Sequence, residues 1–464
     1  MNNQISPLTR TGLAYEKLNA LFDEGTFVEL GAYLSDKAYA GVICGYGAVD
    51  GALTFAFAQA YDRDKGALGT IESRKICDLY DQAKKCGAPV VGVFASAGAK
   101  VEEGSAALAA FGSLLKKISD VSGVVPQIAV IDGVCAGLSA TAASMFDLVV
   151  ASEGASYYIC PPNVQKNAGA EGAGTIATAA KNGVIDVVCP DAASAIAKAR
   201  ALVAMIPQNN RQGLAYIEAG DDLSRPTPEV ASAADANALL SAIADNGTYT
   251  LLKETCASEV AVAIASLGSM TAGVIANNAG AALTPKAARK IAQFITFCDN
   301  FSSPVVTLVN TTGIDASVDA ENAPDAPEYA RLAAAYAGAT CAKVTAVVGK
   351  AYGAAFTLLG SRSVGADMVL ALPTAEISVM EPDAAVQFLY GDEIKASADP
   401  VAMRAEKKQV WTTEKASAEA AARAGEVDDV VAPEELRARI ISACMMLWSK
   451  AEGDIRRKHS KLPF

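Results

Sequence analysis

Apolar and polar positions along the chain follow two different rhythms. Some runs are apolar throughout and bounded by Gly or Pro, as in PVVGVFAS from Pro89, IAVI at Ile128–Ile131 and VTAVV at Val344–Val348. Such runs predict strands covered on both faces. Between them, stretches such as SRKICDLYDQA from Ser73 space their apolar residues like one face of a helix. Alternating strand and helix at this spacing predicts an α/β protein with largely parallel sheets and crossover helices.

The pattern occurs twice. SRKICDLYDQAKKCGAPVVGVFASAG aligns with ARKIAQFITFCDNFSSPVVTLVNTTG at one constant offset, pairing Arg74, Lys75 and Ile76 with Arg289, Lys290 and Ile291. With one residue inserted the register continues, and Gly133 meets Gly349 and Gly137 meets Gly353; after a further insertion Asp147 meets Asp367. Each copy then predicts a strand (128–131; 344–348), a Gly turn, a helix (139–146; 355–363) and a strand (148–151; 368–372). Repetition over this length implies two related domains. Polar residues interrupt the apolar pattern between Gly220 and Thr248, placing the boundary so that the domains are 1–245 and 246–464.

Composition narrows the function. Of the 464 residues 52% are hydrophobic, but only two are Trp and 6% aromatic, as fits helices lying close on sheets. A net charge of −12 argues against a nucleic-acid partner, which needs clustered Lys and Arg. The stretch from Val124 to Ala151 is broken by Gln127, Asp132 and Asp147 and reads as a buried strand and helix, not a membrane span. MNNQISPLTR has no apolar core of the signal-peptide kind, and the ten cysteines read as reduced thiols of a cytoplasmic protein. No Cys pair has C-x-x-C spacing and the one histidine is His459, so no metal site is expected and neither a Ser-His-Asp triad nor a Cys-His dyad can form in the body of the chain.

Chemistry must then come from backbone donors, another base or the substrates. Gly133 to Leu138 leaves a buried strand and enters a helix through two glycines, a junction that offers free N–H groups at the positive end of a helix dipole. One such donor lowers a transition state by about 3 kcal/mol with no side chain involved. Read alone, each turn is better explained by close helix–strand packing; finding it twice at matching places weakens that explanation. A third turn, SAGAKVEEG from Ser96, follows a strand where α/β sheets open ligand crevices, and Lys100 there suits either a phosphate or the plain surface. Asp132, Asp147, Asp367, Glu376 and Glu381 read as caps or structural ion pairs.

GTIESRKICDLYDQA, PVVGVFASAGAKVEEG, SGVVPQIAVIDGVCAG, ASEGASYYICPP, AKVTAVVGKAYGAAF and LPTAEISVM together resemble the carboxyltransferase subunits of biotin-dependent acyl-CoA carboxylases and decarboxylases. These include acetyl- and propionyl-CoA carboxylase beta-type and methylmalonyl- and glutaconyl-CoA decarboxylase alpha-type chains. The resemblance covers about residues 15 to 450. It implies tandem crotonase-like domains (the ClpP/crotonase superfamily) of repeated ββα units, the first serving acyl-CoA and the second biotin. It also implies a homo-oligomer, with a dimer as the smallest working unit and a hexamer as a further possibility. Partners would be a biotin carboxyl carrier protein and either a biotin carboxylase or a membrane decarboxylase subunit, which could tether the chain to a membrane.

By matching positions, the thioester oxyanion would meet the amides of Gly137 and Leu138, and the ureido oxygen of biotin those of Gly353, Ala354 and Ala355. The deprotonated biotin nitrogen would be the base. The far end of CoA would lie near Ser96, Ala97, Gly98, Ala99 and Lys100, and Thr357 would shape the acyl pocket. Three departures stand out: Leu138 and Ala354 replace the second glycine of each turn, Lys100 ends the third turn, and the region 163–182 looks short. A positive φ at Leu138 would be costly, so a non-catalytic paralogue is one alternative. A crotonase-type hydrolase or isomerase acting on acyl-CoA alone is another.

Overall fold

The computed structural model describes residues 11–34, 40–167, 172–213, 215–322 and 325–450. The start MNNQISPLTR, part of the 163–182 region and His459 lie outside the described residues. The chain divides into two compact units, Met1–Gly213 and Leu214–Phe464.

In the first unit β1 (Val28–Leu30), β2 (Val42–Val49), β3 (Ala52–Gln59), β4 (Val90–Ser96), β5 (Gln127–Ala136), β6 (Leu148–Ser152), β7 (Ser156–Tyr158) and β8 (Val187–Cys189) form one sheet. Its order is β1-β2-β3-β4-β5-β6-β8, with β7 beside the end of β5. The second unit repeats it with β9 (Tyr249–Leu252), β10 (Val260–Leu267), β11 (Met270–Asn277), β12 (Val305–Thr311), β13 (Lys343–Tyr352), β14 (Met368–Ala371), β15 (Glu376–Ser378) and β16 (Asp429–Val430). The order is again β9-β10-β11-β12-β13-β14-β16, with β15 beside the end of β13. In both sheets the first three strands are antiparallel and the rest parallel.

Every residue of β4 is buried, as its unbroken apolar run requires when both faces are covered. The crossover helix Thr70–Cys86 buries Ile76, Leu79, Tyr80 and Ala83. Its counterpart Pro285–Asn300 starts on Thr284, whose hydroxyl accepts the Ala287 N–H at 3.1 Å, and buries Ile291, Phe294 and Ile295. Rings of Phe57, Phe94 and Phe146 meet edge to face in the first core, with centroids 5.3–6.5 Å apart.

The repeated Arg-Lys-Ile triplet now has a physical reason. Lys75 Nζ donates to the Val42 carbonyl at 2.9 Å, and Lys290 Nζ to the Val260 carbonyl at 2.6 Å, each at the first residue of a strand. Both ammonium groups are buried and tie helix to sheet. Asp147 and Asp367 are equally matched: each accepts the N–H that opens the long strand, Gln127 and Lys343 respectively, at 2.8 Å.

Two expectations shift. The long strands do not stop at 131 and 348; they run through Gly133 and Gly349 because their ends acquire new parallel partners in β7 and β15. The helices beyond them are correspondingly earlier and shorter, Leu138–Ala143 and Gly353–Leu358. The stretch 215–245, read from sequence as the tail of the first domain, packs in the second unit, where the Ile217 N–H donates to the Ser269 carbonyl at 2.8 Å. Its anchor is Arg437, fully buried, which donates to the carbonyls of Ile243 at 3.0 Å and Asp222 at 2.6 Å and pairs with Asp221 and Asp245.

Burial works against the charge on Asp245, but the N–H groups of Ser269 and Gly268, the Ser266 hydroxyl and Arg437 hold its carboxyl below the usual range. Removing the cation would strand buried carboxylates, so Arg437→Met is expected to cost the second unit about 3–5 kcal/mol in urea unfolding. A cost below about 1 kcal/mol would mean that this network is not an anchor.

Asp147 behaves oppositely. Burial raises its carboxyl to about 7, against the Gln127 N–H and with the help of the Asp186 charge. A folded value above the unfolded 3.8 means that its contribution is full below that pH and lost as pH rises through about 7. Asp147→Asn is therefore expected to raise stability more at pH 8 than at pH 5, and equal effects at both would remove burial as the cause.

Candidate functional site

The end of β5 leaves β6 and pairs with β7, Val134 opposite Ser156 and Ala136 opposite Tyr158. Gly137 follows with φ 59° and ψ −127°, and its N–H donates to the Tyr158 carbonyl at 2.9 Å. That amide therefore completes the strand pairing in this conformation. The open donors begin one residue later, at Leu138 and Ser139, the first residues of a helix with no preceding turn to bond. No protein acceptor takes either N–H among the described residues.

Leu138 is not among the residues of positive φ; the left-handed conformation falls on Gly137 alone. The side chain of Leu138 rests against the first core, and its amide survives the replacement of glycine. Ser139 is 1% exposed with no partner for its hydroxyl among the described residues, a feature that sequence reasoning passed over.

The second turn has the same backbone. β13 ends beside β15, Lys350 opposite Glu376 and Tyr352 opposite Ser378, and Gly353 has φ 60°. A Cβ on Gly353 would sit 3.4 Å from the Val379 carbonyl. Ala354 is exposed and Ala355 buried, and neither has positive φ. Thr357 lies exposed one turn further, its carbonyl accepting the Ser361 hydroxyl at 3.2 Å.

The third turn also proves to be duplicated. The Ser96 hydroxyl accepts the Gly98 N–H at 3.1 Å, and the Thr311 hydroxyl accepts the Gly313 N–H at 3.3 Å. Leu68 N–H donates to Gly98 as Leu283 N–H does to Gly313, at 2.9 and 2.8 Å. Ala97 is exposed and the Ala99 backbone bridges Leu68, while Lys100 stands where the second unit has Asp315. Its ammonium is held by Glu72 at 2.8 Å and Asp64 at 3.4 Å. Burial opposes its charge, but Glu72 and then Asp64 carry its pKa above the ordinary lysine value.

Of the carboxylates set aside as structural, Asp132 pairs with Lys17 at 2.8 Å, Glu376 accepts the Tyr352 hydroxyl and Glu381 faces Lys350 at 3.7 Å. The sequence reading left out Lys350 and Tyr352. The repeat alignment held their signal, since the matching residues of the first copy are Val134 and Ala136.

Each unit thus ends a buried strand in a glycine of positive φ followed by a short helix whose first amides point away from any turn before them. That arrangement can hold an oxygen on which negative charge develops. The φ and ψ of Gly137 suit glycine almost alone, so Gly137→Ala is expected to cost about 1–3 kcal/mol through backbone strain. Its Cβ would meet only the Ile159 carbonyl, at 4.0 Å; an unchanged urea midpoint would show that the turn tolerates other conformations.

The carboxyl transferase domain matches residues 11–462. The chain is 35% identical to methylmalonyl-CoA decarboxylase subunit alpha of Propionigenium modestum, over 97% of this chain and 93% of that one. It is 34% identical to the carboxyltransferase subunit of propionyl-CoA carboxylase from Haloferax mediterranei, with the same coverage. A crystal structure of the transcarboxylase 12S hexamer with methylmalonyl-coenzyme A bound superposes with a TM-score of 0.93 at 32% identity, covering 97% of this chain and 92% of that one. The chain belongs to the carboxyl transferase family and is a carboxyltransferase of the biotin-dependent acyl-CoA carboxylases and decarboxylases, on a tandem crotonase-like fold.

Proposed function

We propose that this subunit moves a carboxyl group between biotin on a carrier protein and the α-carbon of a short acyl-CoA, with propionyl-CoA and methylmalonyl-CoA as the pair. The observation that carries this reading is the double turn: Gly137 with φ 59° and Gly353 with φ 60°, each opening a helix at the end of a buried strand. The names of the relatives and the bound ester of the transcarboxylase support the choice of acyl group.

In this reading the amides of Leu138 and Ser139 hold the thioester oxygen, and those of Ala354 and Ala355 the ureido oxygen. Gly137 and Gly353 fix the direction in which those amides point. Carrier-bound biotin supplies or accepts the carboxyl group and provides the base that a chain without a usable histidine lacks. An open pair of donors and a glycine cradle that a Cβ would narrow suit such a planar ring oxygen. The Ser96–Lys100 turn is the proposed seat of the far end of CoA, with Glu72 and Asp64 holding Lys100 at its edge. Thr357, exposed on the second helix, is proposed to shape the acyl pocket.

The subunit is proposed to act as a homo-oligomer in the cytoplasm, with a biotin carboxyl carrier protein and either a biotin carboxylase or a membrane decarboxylase subunit. Among the described residues no helix is long and apolar enough to cross a membrane. The absence of a positive φ at Leu138 supports the catalytic reading over that of a non-catalytic paralogue.

The test is carboxyl exchange by the purified full-length chain with a panel of acyl-CoA and malonyl-type CoA esters, with and without biotin. Biotin-dependent turnover fastest on the propionyl and methylmalonyl pair is expected. A folded, CoA-binding protein with no turnover would overturn the reading, and turnover independent of biotin would establish the hydrolase or isomerase alternative.

A further inference from the structure

The two turns share a backbone but not their side chains. Beside the first stand Val134, Ala136, Ser156 and Pro161, none of them charged; the same positions beside the second hold Lys350, Tyr352, Glu376 and Glu381. Lys350 and Glu376 face one another across β13 and β15, and Tyr352 lies two residues along the same strand, so the three share one face of the sheet. Tyr352 is 2% exposed, and its hydroxyl donates to Glu376. The Lys350 ammonium lies 5.8 Å above the Tyr352 ring, at the strand end that Gly353 closes.

A purely structural role accounts poorly for Lys350. Its partner Glu381 is 3.7 Å away, with the side chains 43% and 56% exposed. An ion pair that open to solvent contributes about 0–1 kcal/mol and can release its lysine at little cost. The Tyr352 ring is buried and its hydroxyl is held by the half-buried Glu376, and the ring gives the ammonium a face to rest on.

We infer that Lys350 is a ligand-contacting residue of the second turn, donating a charge-assisted hydrogen bond to the anionic or polarised oxygen held there by the amides of Ala354 and Ala355. Tyr352 and Glu376 position it. The first turn, with Val134 in the matching place, serves its ligand through amides alone. The inference rests on the function proposed above, and within it the oxygen is that of the biotin ureido ring.

The experiment uses the full-length chain with free biotin and propionyl-CoA as separate probes. Lys350→Met is expected to raise the dissociation constant of free biotin, followed by ligand-observed NMR, about tenfold, and to leave that of propionyl-CoA within about twofold. Biotin-dependent turnover should fall in parallel, and Lys350→Arg should recover most of both. Glu381→Gln should impair biotin binding much less than Lys350→Met. Biotin binding unchanged in Lys350→Met, an equal loss of propionyl-CoA binding, or a Glu381→Gln defect as large as that of Lys350→Met would each overturn the inference while leaving the carboxyl-transfer reading intact. A wild-type chain without biotin-dependent turnover would overturn both.

Discussion

Everything at the site depends on a change of partner partway along one strand. β5 opens beside β6, pinned by the Asp147 carboxylate at its first N–H, and finishes beside β7. β13 does the same with Asp367, β14 and β15. Switching partners carries the last three residues of the strand onto a second ladder. The chain then turns at a single glycine into a helix whose first amides have nothing before them.

The duplication and the parallel core were legible in the sequence because burial on both faces leaves unbroken apolar runs and because the Arg-Lys-Ile triplets survive in both copies. The triplets persist for a concrete reason, since Lys75 and Lys290 each bind the carbonyl that starts a strand. The partner switch was not legible. β7 and β15 are three residues long and half-buried, too short to leave a period, and the glycines at 133 and 349 read as the ends of strands that in fact continue. The grouping of 215–245 with the second compact unit was hidden for a similar reason. Polar residues between 220 and 248 look like a linker, yet Asp221 and Asp245 are there to meet Arg437 some two hundred positions later, a contact that no local pattern announces.

At the site the sequence singled out the glycine turns but could not say which amides remain open. In the fold the Gly137 N–H is taken by Tyr158, and the positive φ belongs to the first residue of each turn. Leu138, which looked like a damaged position, is an ordinary helical residue leaning on the core. Lys100, which suited either a phosphate or the plain surface, is held by Glu72 and Asp64.

Donors made of main chain have a consequence for how such a protein can change. A side-chain catalyst is lost by one codon change at its own position, whereas an amide persists through nearly every substitution of the residue that bears it. Leu138 and Ala354 illustrate that latitude: both depart from glycine while keeping the helical backbone. In the proposed reading, drift in the residues around each turn can therefore retune what is bound without erasing the pair of amides proposed to hold the oxygen, and the inheritance of that pair is concentrated in two glycine codons, 137 and 353.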